Sequence, residues 1–211
     1  MLNVCRNCGE YRADKQVSQN VDQKTAVAVC PLCQHQHPFR LQPFLAVCGA
    51  SGTGKTTICD RLMATMQDAV VLDGDLLWRP EFNKPDDQYR DFFETWLRLG
   101  KNIGQSGRPF VLFGAGVIPN NVEPCVERRY FSNSHYLALT CEANTLAERL
   151  RQRPAWRQSG DETFIEGQIG FNSWLQEQAA EPTAQIELLD TTYDCIETTT
   201  EQVAAWIRAK I

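Results

Sequence analysis

Residues 44–57, FLAVCGASGTGKTT, constrain the fold of this chain more than any other stretch. Gly49, Gly54, Lys55 and Thr56 have the spacing GxxxxGK followed by Ser or Thr. Glycines let the backbone turn tightly, so that successive N–H groups can point towards an anion at the start of a helix. An apolar run precedes the loop, and apolar residues recur every four positions after it. The stretch therefore predicts a strand, a phosphate-binding loop and a helix, in that order.

The loop residues predict the contacts of a bound nucleoside triphosphate, which we expect to be ATP with Mg²⁺. Lys55 is placed to reach the β- and γ-phosphates, and the Thr56 hydroxyl is placed as a Mg²⁺ ligand. The residues expected to hold the phosphates are Gly49, Ser51, Gly52, Thr53, Gly54, Lys55, Thr56 and Thr57.

Short apolar runs alternate with helix-length segments from residue 44 onwards. The runs are FLAVCG at 44–49, AVVLDGD at 69–75, PFVLFGAG at 109–116, SHYLALTC at 134–141 and IELLDTT at 186–192. Such runs are typical of parallel strands covered on both faces, so we predict an α/β protein with a five-stranded doubly wound parallel sheet. Between the second and third runs, apolar residues at spacings of three and four predict a helix over 86–105.

Two acidic residues, Asp73 and Asp75, end the second predicted strand in the stretch VVLDGDLLW. The carboxyl edge of a parallel sheet is where such folds place their ligands. A carboxylate there can accept a proton from an attacking hydroxyl, while its neighbour helps to hold Mg²⁺ or its waters. The sequence leaves open which of the two is the base.

Other classes of phosphate-binding protein fit the sequence less well. A GTPase would carry DxxG after a strand, and this sequence contains no DxxG; its NKPD at 83–86 follows no apolar strand. A motor or AAA-type ATPase would place acidic residues at the end of a core strand, whereas the third run ends in FGAG. Phosphoryl transfer to an acceptor is therefore favoured.

GASGTGKT followed by LDGD resembles the DxD group of small P-loop kinases, which includes adenylylsulfate kinase, gluconate kinase and the chloramphenicol phosphotransferases. The stretch VERRYFSNSHYLALTCEANTLAERLRQRPAWR, followed by FIEGQIGFNSWL, is similar to bacterial nucleoside kinases and broad-specificity nucleoside monophosphate kinases. The resemblance spans residues 44–211 and implies a kinase domain over 41–211 with a lid around 153–163.

Several arginines are placed to act on phosphates. Arg149 and Arg153 are four residues apart and share a helix face, and Arg157 follows on a polar segment. In the kinases that this chain resembles, arginines of such a lid neutralise the transferring group and exclude water. Arg128 and Arg129 can reach an acceptor; we expect one of them, with Arg128 as the candidate, to do so and the other to be structural.

The resemblance also implies a site for the adenine ring beside the loop after the fifth strand. Asp190 and Thr191, with Thr192 after them, are the candidate contacts there. Aromatic residues that follow the DGD motif, between Trp78 and Trp96, can build a pocket for a flat acceptor, although their helical spacing makes most of them core residues.

Two CxxC pairs, CRNC at 5–8 and CPLC at 30–33, mark the N-terminal 40 residues. Two such turns supply the four thiolates of a structural Zn²⁺ site, here Cys5, Cys8, Cys30 and Cys33. A segment this short lacks a sufficient apolar core, so we predict a zinc ribbon over residues 1–40 that the metal stabilises. A redox role for the pairs is the alternative, and His35 and His37 are interpreted as a solvated edge.

The net charge of −5 argues against a general nucleic-acid or membrane surface. No basic leader with an apolar segment and no long apolar run is present, so we expect a cytoplasmic protein. The preferred hypothesis is an ATP- and Mg²⁺-dependent phosphotransferase acting on a nucleoside or nucleotide. The alternatives are a polynucleotide 5′-end kinase that grips nucleic acid with the ribbon, and a non-catalytic zinc-ribbon protein that binds ATP as a conformational ligand.

Overall fold

A computed structural model describes residues 2–20 and 24–211, whose strands form two separate sheets. The smaller sheet is antiparallel, in the order β1, β2, β3. Its strands are β1 (Gln16–Gln19), β2 (Thr25–Val29) and β3 (Gln36–Arg40). These strands lie in the segment that the cysteine spacing predicts to be a ribbon, of which residues 1 and 21–23 lie outside the described residues.

The larger sheet has five parallel strands in the order β5, β6, β4, β7, β8, and it confirms the predicted doubly wound α/β fold. Its strands are β4 (Gln42–Gly49), β5 (Val70–Asp73), β6 (Phe110–Phe113), β7 (Phe131–Thr140) and β8 (Ile186–Asp190). Each corresponds to one of the apolar runs. Only Leu41 separates β3 from β4, so the smaller sheet continues directly into the central strand of the larger one.

The part of the chain that the structure describes contains six α-helices, of which five lie between strands and the sixth follows β8. They are α1 (Lys55–Thr65), α2 (Arg90–Gly104), α3 (Pro119–Val122), α4 (Ala143–Arg151), α5 (Glu162–Ala180) and α6 (Ile196–Ala209). None of the helices in the described ranges has both the length and the apolar character needed to cross a membrane.

Helix α2 begins later than the apolar spacing predicts. Pro85 starts a short 3-10 helix that ends at Asp87. Gln88 and Tyr89 then adopt left-handed backbone conformations, with φ of 52° and 55°. A right-handed helix cannot run through these two residues, so the predicted start near residue 86 is wrong and the helix begins at Arg90.

Different helices cover the two faces of the larger sheet. Leu45 and Val47 of β4 belong to a buried cluster formed with α1 and α6. Phe44 and Ala46 belong to a second cluster, on the opposite face, formed with α2 and with Leu175 of α5. Because successive strand residues point to opposite faces, the continuous apolar run in β4 supplies both clusters.

A buried polar cluster joins the N-terminal segment to the rest of the protein. The Glu127 side chain is fully buried and accepts hydrogen bonds from Asn3 Nδ2, at 2.7 Å, and from Arg98 Nε, at 3.0 Å. Its second oxygen forms an ion pair with the buried Lys101 ammonium of α2. Lys101 also lies over the Tyr130 ring, 3.7 Å from its centroid. Removing Glu127 would leave the Lys101 ammonium buried without a counter-charge, whereas Glu127 also forms an ion pair with Arg98.

Apolar contacts continue this junction. Leu2, Ala26, Ala28, Phe39, Leu41 and Tyr130 form one buried cluster. Tyr130 contributes from the segment before β7, and its hydroxyl donates a 2.7 Å hydrogen bond to the Ala13 carbonyl. The smaller sheet therefore shares its core with the α/β part of the chain.

Substituting Glu127→Ala is expected to destabilise the whole fold, because it leaves the Lys101 ammonium buried without a counter-charge. We expect a loss of about 3–5 kcal/mol in the free energy of unfolding, measured by urea denaturation. The matched control is Glu162→Ala, which removes the exposed partner of Arg151 and should leave the unfolding midpoint unchanged. Equal midpoints for the Glu127→Ala variant and the wild type would contradict the structural role of this ion pair.

Candidate active site

The glycine-rich loop lies at the carboxyl end of β4 and leads into α1. Gly49 has a φ of +142°, and a Cβ atom there would lie 2.4 Å from the Leu139 carbonyl oxygen, so only glycine fits. Gly54, at φ +96°, is the last residue before α1 begins at Lys55. Thr53 is buried and its hydroxyl closes the loop by donating to the Ala50 carbonyl at 2.9 Å. The loop is thus shaped as an anion site at a helix N-terminus.

Lys55 folds back over this loop. Its ammonium donates to the carbonyls of Gly49, at 2.7 Å, and Ala50, at 2.8 Å. The pKa of Lys55 is lowered to about 8, mainly by burial and also by Arg153, against the raising effect of Asp73 and Asp75. The ammonium is held by two neutral acceptors that an incoming phosphate can replace.

A cavity of about 520 Å³ brings most of the predicted site residues together. It is lined by Ser51, Gly52, Gly54, Lys55, Thr56, Thr57, Asp60, Asp73, Asp75, Phe113, Gly114, Ala115, Arg153 and Arg157. We call this the phosphate cavity. Both predicted acids, the predicted Mg²⁺ ligand Thr56 and two predicted lid arginines therefore share one space with the loop.

The two acids occupy different positions in the cavity wall. Asp73 ends β5, and its Oδ1 accepts a 2.9 Å hydrogen bond from the Asp75 backbone N–H. Burial raises the pKa of Asp73, and that hydrogen bond acts in the opposite direction. Asp75 lies in the 3-10 helix that follows β5, where its side chain is exposed and borders a neighbouring cavity as well.

The arginines that line the phosphate cavity lack carboxylate partners. Arg153 lies beyond α4, which ends at Arg151, so the prediction that it shares a helix face with Arg149 is wrong. Arg157 ends the 3-10 helix Ala155–Arg157. Within residues 2–20 and 24–211, no carboxylate forms an ion pair with either guanidinium. Burial, together with the nearby Arg157, lowers the pKa of Arg153. This surplus of positive charge favours an anionic occupant.

A second cavity, of about 310 Å³, adjoins the first and is bordered by α4 and the loop after β8. It is lined by Gly52, Thr53, Gly54, Thr57, Arg149, Arg153, Thr191, Asp194, Ile196 and Thr199. We call this the base-side cavity. Arg149 lies here and not in the phosphate cavity, because its guanidinium donates to the carbonyls of Thr191, at 2.7 Å, and Thr192, at 3.2 Å.

The three candidate contacts at the end of β8 are placed differently, and Thr192 does not line the base-side cavity. Thr191 lines the base-side cavity, and it is buried. Asp190 is not among the lining residues; its carboxylate accepts a 2.9 Å hydrogen bond from the Thr192 backbone N–H and so shapes the loop. Asp194, which the sequence analysis does not single out, lines the cavity in its place.

A third cavity, of about 550 Å³, opens on the other side of the two acids. It is lined by Gly74, Asp75, Trp78, Asn83, Tyr89, Phe92, Phe93, Gly114, Ala115, Gly116 and Val117. We call this the aromatic cavity. Asp75, Gly114 and Ala115 line both this cavity and the phosphate cavity, so the two meet at Asp75.

Arg128 does not lie at this site. Its guanidinium donates to the carbonyls of Phe131 and Ser132, the first residues of β7. Phe131 pairs with Gln42 at the start of β4, whereas the glycine-rich loop follows the end of β4. At about 3.3 Å per residue the two edges of the sheet are roughly 20 Å apart. The structure therefore corrects the prediction that Arg128 reaches an acceptor.

The four paired cysteines converge as their spacing predicts. All four sulfur atoms, of Cys5, Cys8, Cys30 and Cys33, lie within 4.8 Å of one another. Cys5 Sγ lies 3.6 Å from Cys33 Sγ, and Cys8 Sγ lies 3.7 Å from Cys30 Sγ. A tetrahedral Zn²⁺ with bonds of about 2.3 Å requires sulfur separations of about 3.8 Å, so the cluster fits this ion.

The two histidines beside the cluster differ from the prediction. His35 is exposed, but His37 is buried and its burial lowers its pKa. The interpretation of both as a solvated edge is therefore wrong for His37. Alternation along β3 explains the difference, because His37 shares its inward face with Phe39.

Two further residues at the site were missed in the sequence. Asp60 lines the phosphate cavity, and it lies four residues after Thr56 on the same face of α1, a spacing that could have identified it. Gln168 of α5 accepts a 2.7 Å hydrogen bond from the Ser51 backbone N–H through its side-chain oxygen. No local pattern in the sequence connects Gln168 with Ser51, because only the tertiary fold brings α5 to the loop.

Comparison with known proteins finds P-loop relatives, and the matching family bears the AAA name although the third strand lacks the acidic end expected of an AAA-type ATPase. A family model, AAA_18, described as an AAA domain, matches residues 45–166. A stretch of 64 residues is 39% identical to the UMP-CMP kinase of Xenopus tropicalis, and it covers 30% of this chain and 32% of that protein. The chain thus matches about a third of the length of that curated relative.

Solved structures share the fold at low sequence identity. The gluconokinase of Sinorhizobium meliloti superposes with a TM-score of 0.53 at 17% identity, over 81% of this chain and 95% of that chain. The tunicamycin resistance protein of Deinococcus radiodurans superposes with a TM-score of 0.54 at 17% identity, over 79% and 95%. Both likenesses concern the arrangement of the sheet and its helices.

ATP binding is expected to weaken as the pH rises through about 8, because only the protonated Lys55 ammonium attracts phosphate. Above that pKa, Lys55 has to take up a proton before ATP can bind, so the Kd for ATP rises by up to about tenfold per pH unit. The γ-phosphate of ATP has a second pKa of about 6, so it does not titrate above about pH 8. The measurement is a calorimetric Kd series across this pH range.

The control for this series is Lys55→Arg, whose guanidinium stays charged throughout. Its Kd is expected to be independent of pH in the same window, whatever its absolute value. A parallel pH dependence in the variant and the wild type would show that another group, and not Lys55, governs the effect.

Purified protein is expected to contain one Zn²⁺ per chain, measured by elemental mass spectrometry. Cys30→Ser should remove most of it, because a structural Zn²⁺ site requires all four ligands. The matched control is Cys195→Ser, which changes an exposed cysteine outside the cluster and should retain the metal. Equal zinc contents in the two variants would contradict the four-cysteine site.

Proposed function

The chain belongs to the AAA_18 family of P-loop domains, and from that premise we propose that it is an ATP- and Mg²⁺-dependent phosphotransferase acting on a small acceptor, a nucleoside or a nucleotide. The observation that carries the proposal is the phosphate cavity. Lys55 and the loop amides form one wall, the acids Asp73 and Asp75 form another, and two unpaired arginines border the same space.

The donor triphosphate binds with its phosphates on the loop amides and Lys55. The N–H groups at the start of α1 and the ammonium of Lys55 stabilise the negative charge of the β- and γ-phosphates. The base occupies the base-side cavity, where Thr191 and Arg149 border it. This orientation directs the γ-phosphate towards Asp75 and the aromatic cavity.

The same wall offers the ligands that Mg²⁺ prefers. Thr56, Asp60 and Asp73 bring a hydroxyl and two carboxylates to the phosphate cavity, and hard oxygen ligands of this kind suit Mg²⁺ directly or through its waters. When bound, the ion supplies charge neutralisation on the β- and γ-oxygens of the nucleotide. The fit is one of donor chemistry, and these residues are proposed to hold the ion.

Asp75 is proposed as the base and Asp73 as its supporting partner. Asp75 lines both the phosphate cavity and the aromatic cavity, so a hydroxyl bound between them can donate its proton to this carboxylate. Asp73 lines the phosphate cavity but not the aromatic cavity. It accepts a hydrogen bond from the Asp75 backbone N–H, which fixes the turn that carries Asp75.

Arg153 and Arg157 are proposed to neutralise charge on the transferring phosphoryl group. Guanidinium groups remain charged and pair with phosphate oxygens through two hydrogen bonds, which suits a group that bears charge on three oxygens. Residues 153–163, between α4 and the first turn of α5, are the proposed lid. Its closure excludes water, which favours transfer to the acceptor over hydrolysis of ATP.

The N-terminal segment is proposed to be a structural zinc ribbon over residues 1–40, followed by a kinase domain over residues 41–211. Four thiolates leave no open coordination position, so the metal holds the fold and takes no part in the chemistry. Free thiols in such a cluster require a reducing compartment, in keeping with the expected cytoplasmic location.

The activity is tested by incubating the protein with ATP labelled on its γ-phosphate and with separate panels of nucleosides, nucleoside monophosphates and oligonucleotides. We expect label on a nucleoside or a nucleotide. Label on oligonucleotide ends alone would establish the polynucleotide kinase instead. Absence of label from every acceptor, with ATP binding intact, would leave the non-catalytic alternative.

Asp75→Asn is expected to lower kcat for transfer by about 10²–10⁴-fold, the usual contribution of a general base. ATP affinity should change little, because the loop and Lys55 hold the donor. The control is Asp86→Asn, which removes the same charge from an exposed position outside the cavities. A variant that retains wild-type kcat would contradict the role of Asp75.

A further inference from the structure

We infer that the acceptor is an uncharged molecule that carries a flat ring and a hydroxyl group, as a nucleoside does, and that molecules already bearing a phosphate are rejected. This inference rests on the proposed phosphotransfer and assigns the aromatic cavity as the acceptor site. It narrows the acceptor from nucleosides and nucleotides together to nucleosides alone. Three features of the cavity carry it.

The first feature is the aromatic wall. Trp78 lies beside Phe92, with ring centroids 5.2 Å apart, and beside Tyr89, at 6.0 Å. These two rings pack against the indole of Trp78, while 44% of Trp78 stays exposed. An exposed indole supported from behind offers a stacking surface for a flat ring, and stacking of this kind tolerates any base because every base has a π-face.

The second feature is charge. Among the described residues, no lysine or arginine lines the aromatic cavity, and Asp75 is its one ionisable acid. The cations on the neighbouring segment are engaged elsewhere: Arg79 lies over the Phe82 ring, Lys84 pairs with Asp91, and Arg90 donates to Cys125 Sγ. A phosphate in this cavity would gain no counter-charge from the residues that line it.

The third feature is the junction between the cavities. The reacting group of the acceptor has to reach the γ-phosphate where the two spaces meet, beside Asp75. A hydroxyl there donates its hydrogen to the carboxylate. A monophosphate would instead bring two negative charges against that carboxylate, and like charges at contact distance repel.

Polar groups for orienting a neutral acceptor are present in the wall. The side-chain amide of Asn83 and the hydroxyl of Tyr89 line the cavity, and neither forms a hydrogen bond with the residues that the structure describes. An amide both donates and accepts, so it suits the edge of a base or a sugar hydroxyl. The transfer then forms one bond, from the acceptor oxygen to the γ-phosphorus, and breaks the bond to the β-bridging oxygen. The hydroxyl proton passes to Asp75, and ADP leaves.

The test compares matched acceptor pairs in steady-state kinetics with the full chain and ATP: uridine with UMP, cytidine with CMP and adenosine with AMP. Gluconate and mannitol serve as acceptors without a flat ring. We expect one nucleoside to exceed its own monophosphate and both ring-free compounds by at least about a hundredfold in kcat/KM. Preference for a monophosphate or a ring-free compound would overturn the inference while leaving the proposed phosphotransferase in place. Phosphorylation of none of these acceptors would overturn both.

Binding supplies a readout that does not depend on turnover. Trp78→Ala should weaken nucleoside binding by about tenfold or more, as expected for loss of a stacking partner. The matched control is Tyr11→Ala, an exposed aromatic residue on the N-terminal segment, which should bind the nucleoside as the wild type does. Asp75→Asn should improve UMP binding relative to uridine, because it removes the repelling charge. If the ratio of the Kd values for UMP and uridine were the same in that variant as in the wild type, the proposed repulsion by Asp75 would be contradicted.

Discussion

Hydrogen bonds between parallel strands hold the glycine-rich loop and the two aspartates at one edge of the sheet. Val47 of β4 and Asp73 of β5 both pair with Phe113 of β6, so the three strand ends are in register. The loop amides and Lys55 attract anions, while the acids can accept a proton and hold a cation. Their placement across one cavity follows from sheet register, and the phosphoryl-transfer proposal depends on it.

The N-terminal segment is built into this scaffold and not attached by a flexible linker. Its third strand runs through Leu41 into β4, its apolar residues pack on Tyr130, and its Asn3 amide binds the buried Glu127. These contacts lie beside the first residues of β7, at the sheet edge opposite the glycine-rich loop. The cysteine cluster belongs to this segment, so the zinc proposed for it would stabilise the fold and would not touch the transferring group.

The sequence predicts much of this arrangement because its main signals are local. Continuous apolar runs identify the five strands, and the spacing of glycines and Lys55 identifies the loop. Positions that depend on tertiary contacts are missed or wrong. The spacing of Arg149 and Arg153 predicts a shared helix face, but α4 ends at Arg151 and the carbonyls after β8 hold Arg149 at the base-side cavity. Arg128 lies at the opposite end of the strands from the glycine-rich loop, which the sequence around it does not reveal. Gln168 contacts the loop only because α5 packs against it.

The central claim is that the γ-phosphate moves directly to an acceptor hydroxyl held at Asp75, with water excluded. The most direct measurement is a single-turnover reaction in water enriched in oxygen-18, with the products analysed by mass spectrometry. Direct transfer places the phosphate on the acceptor, with no oxygen from the solvent. Inorganic phosphate carrying one solvent oxygen, formed at the same rate with and without acceptor, would contradict it.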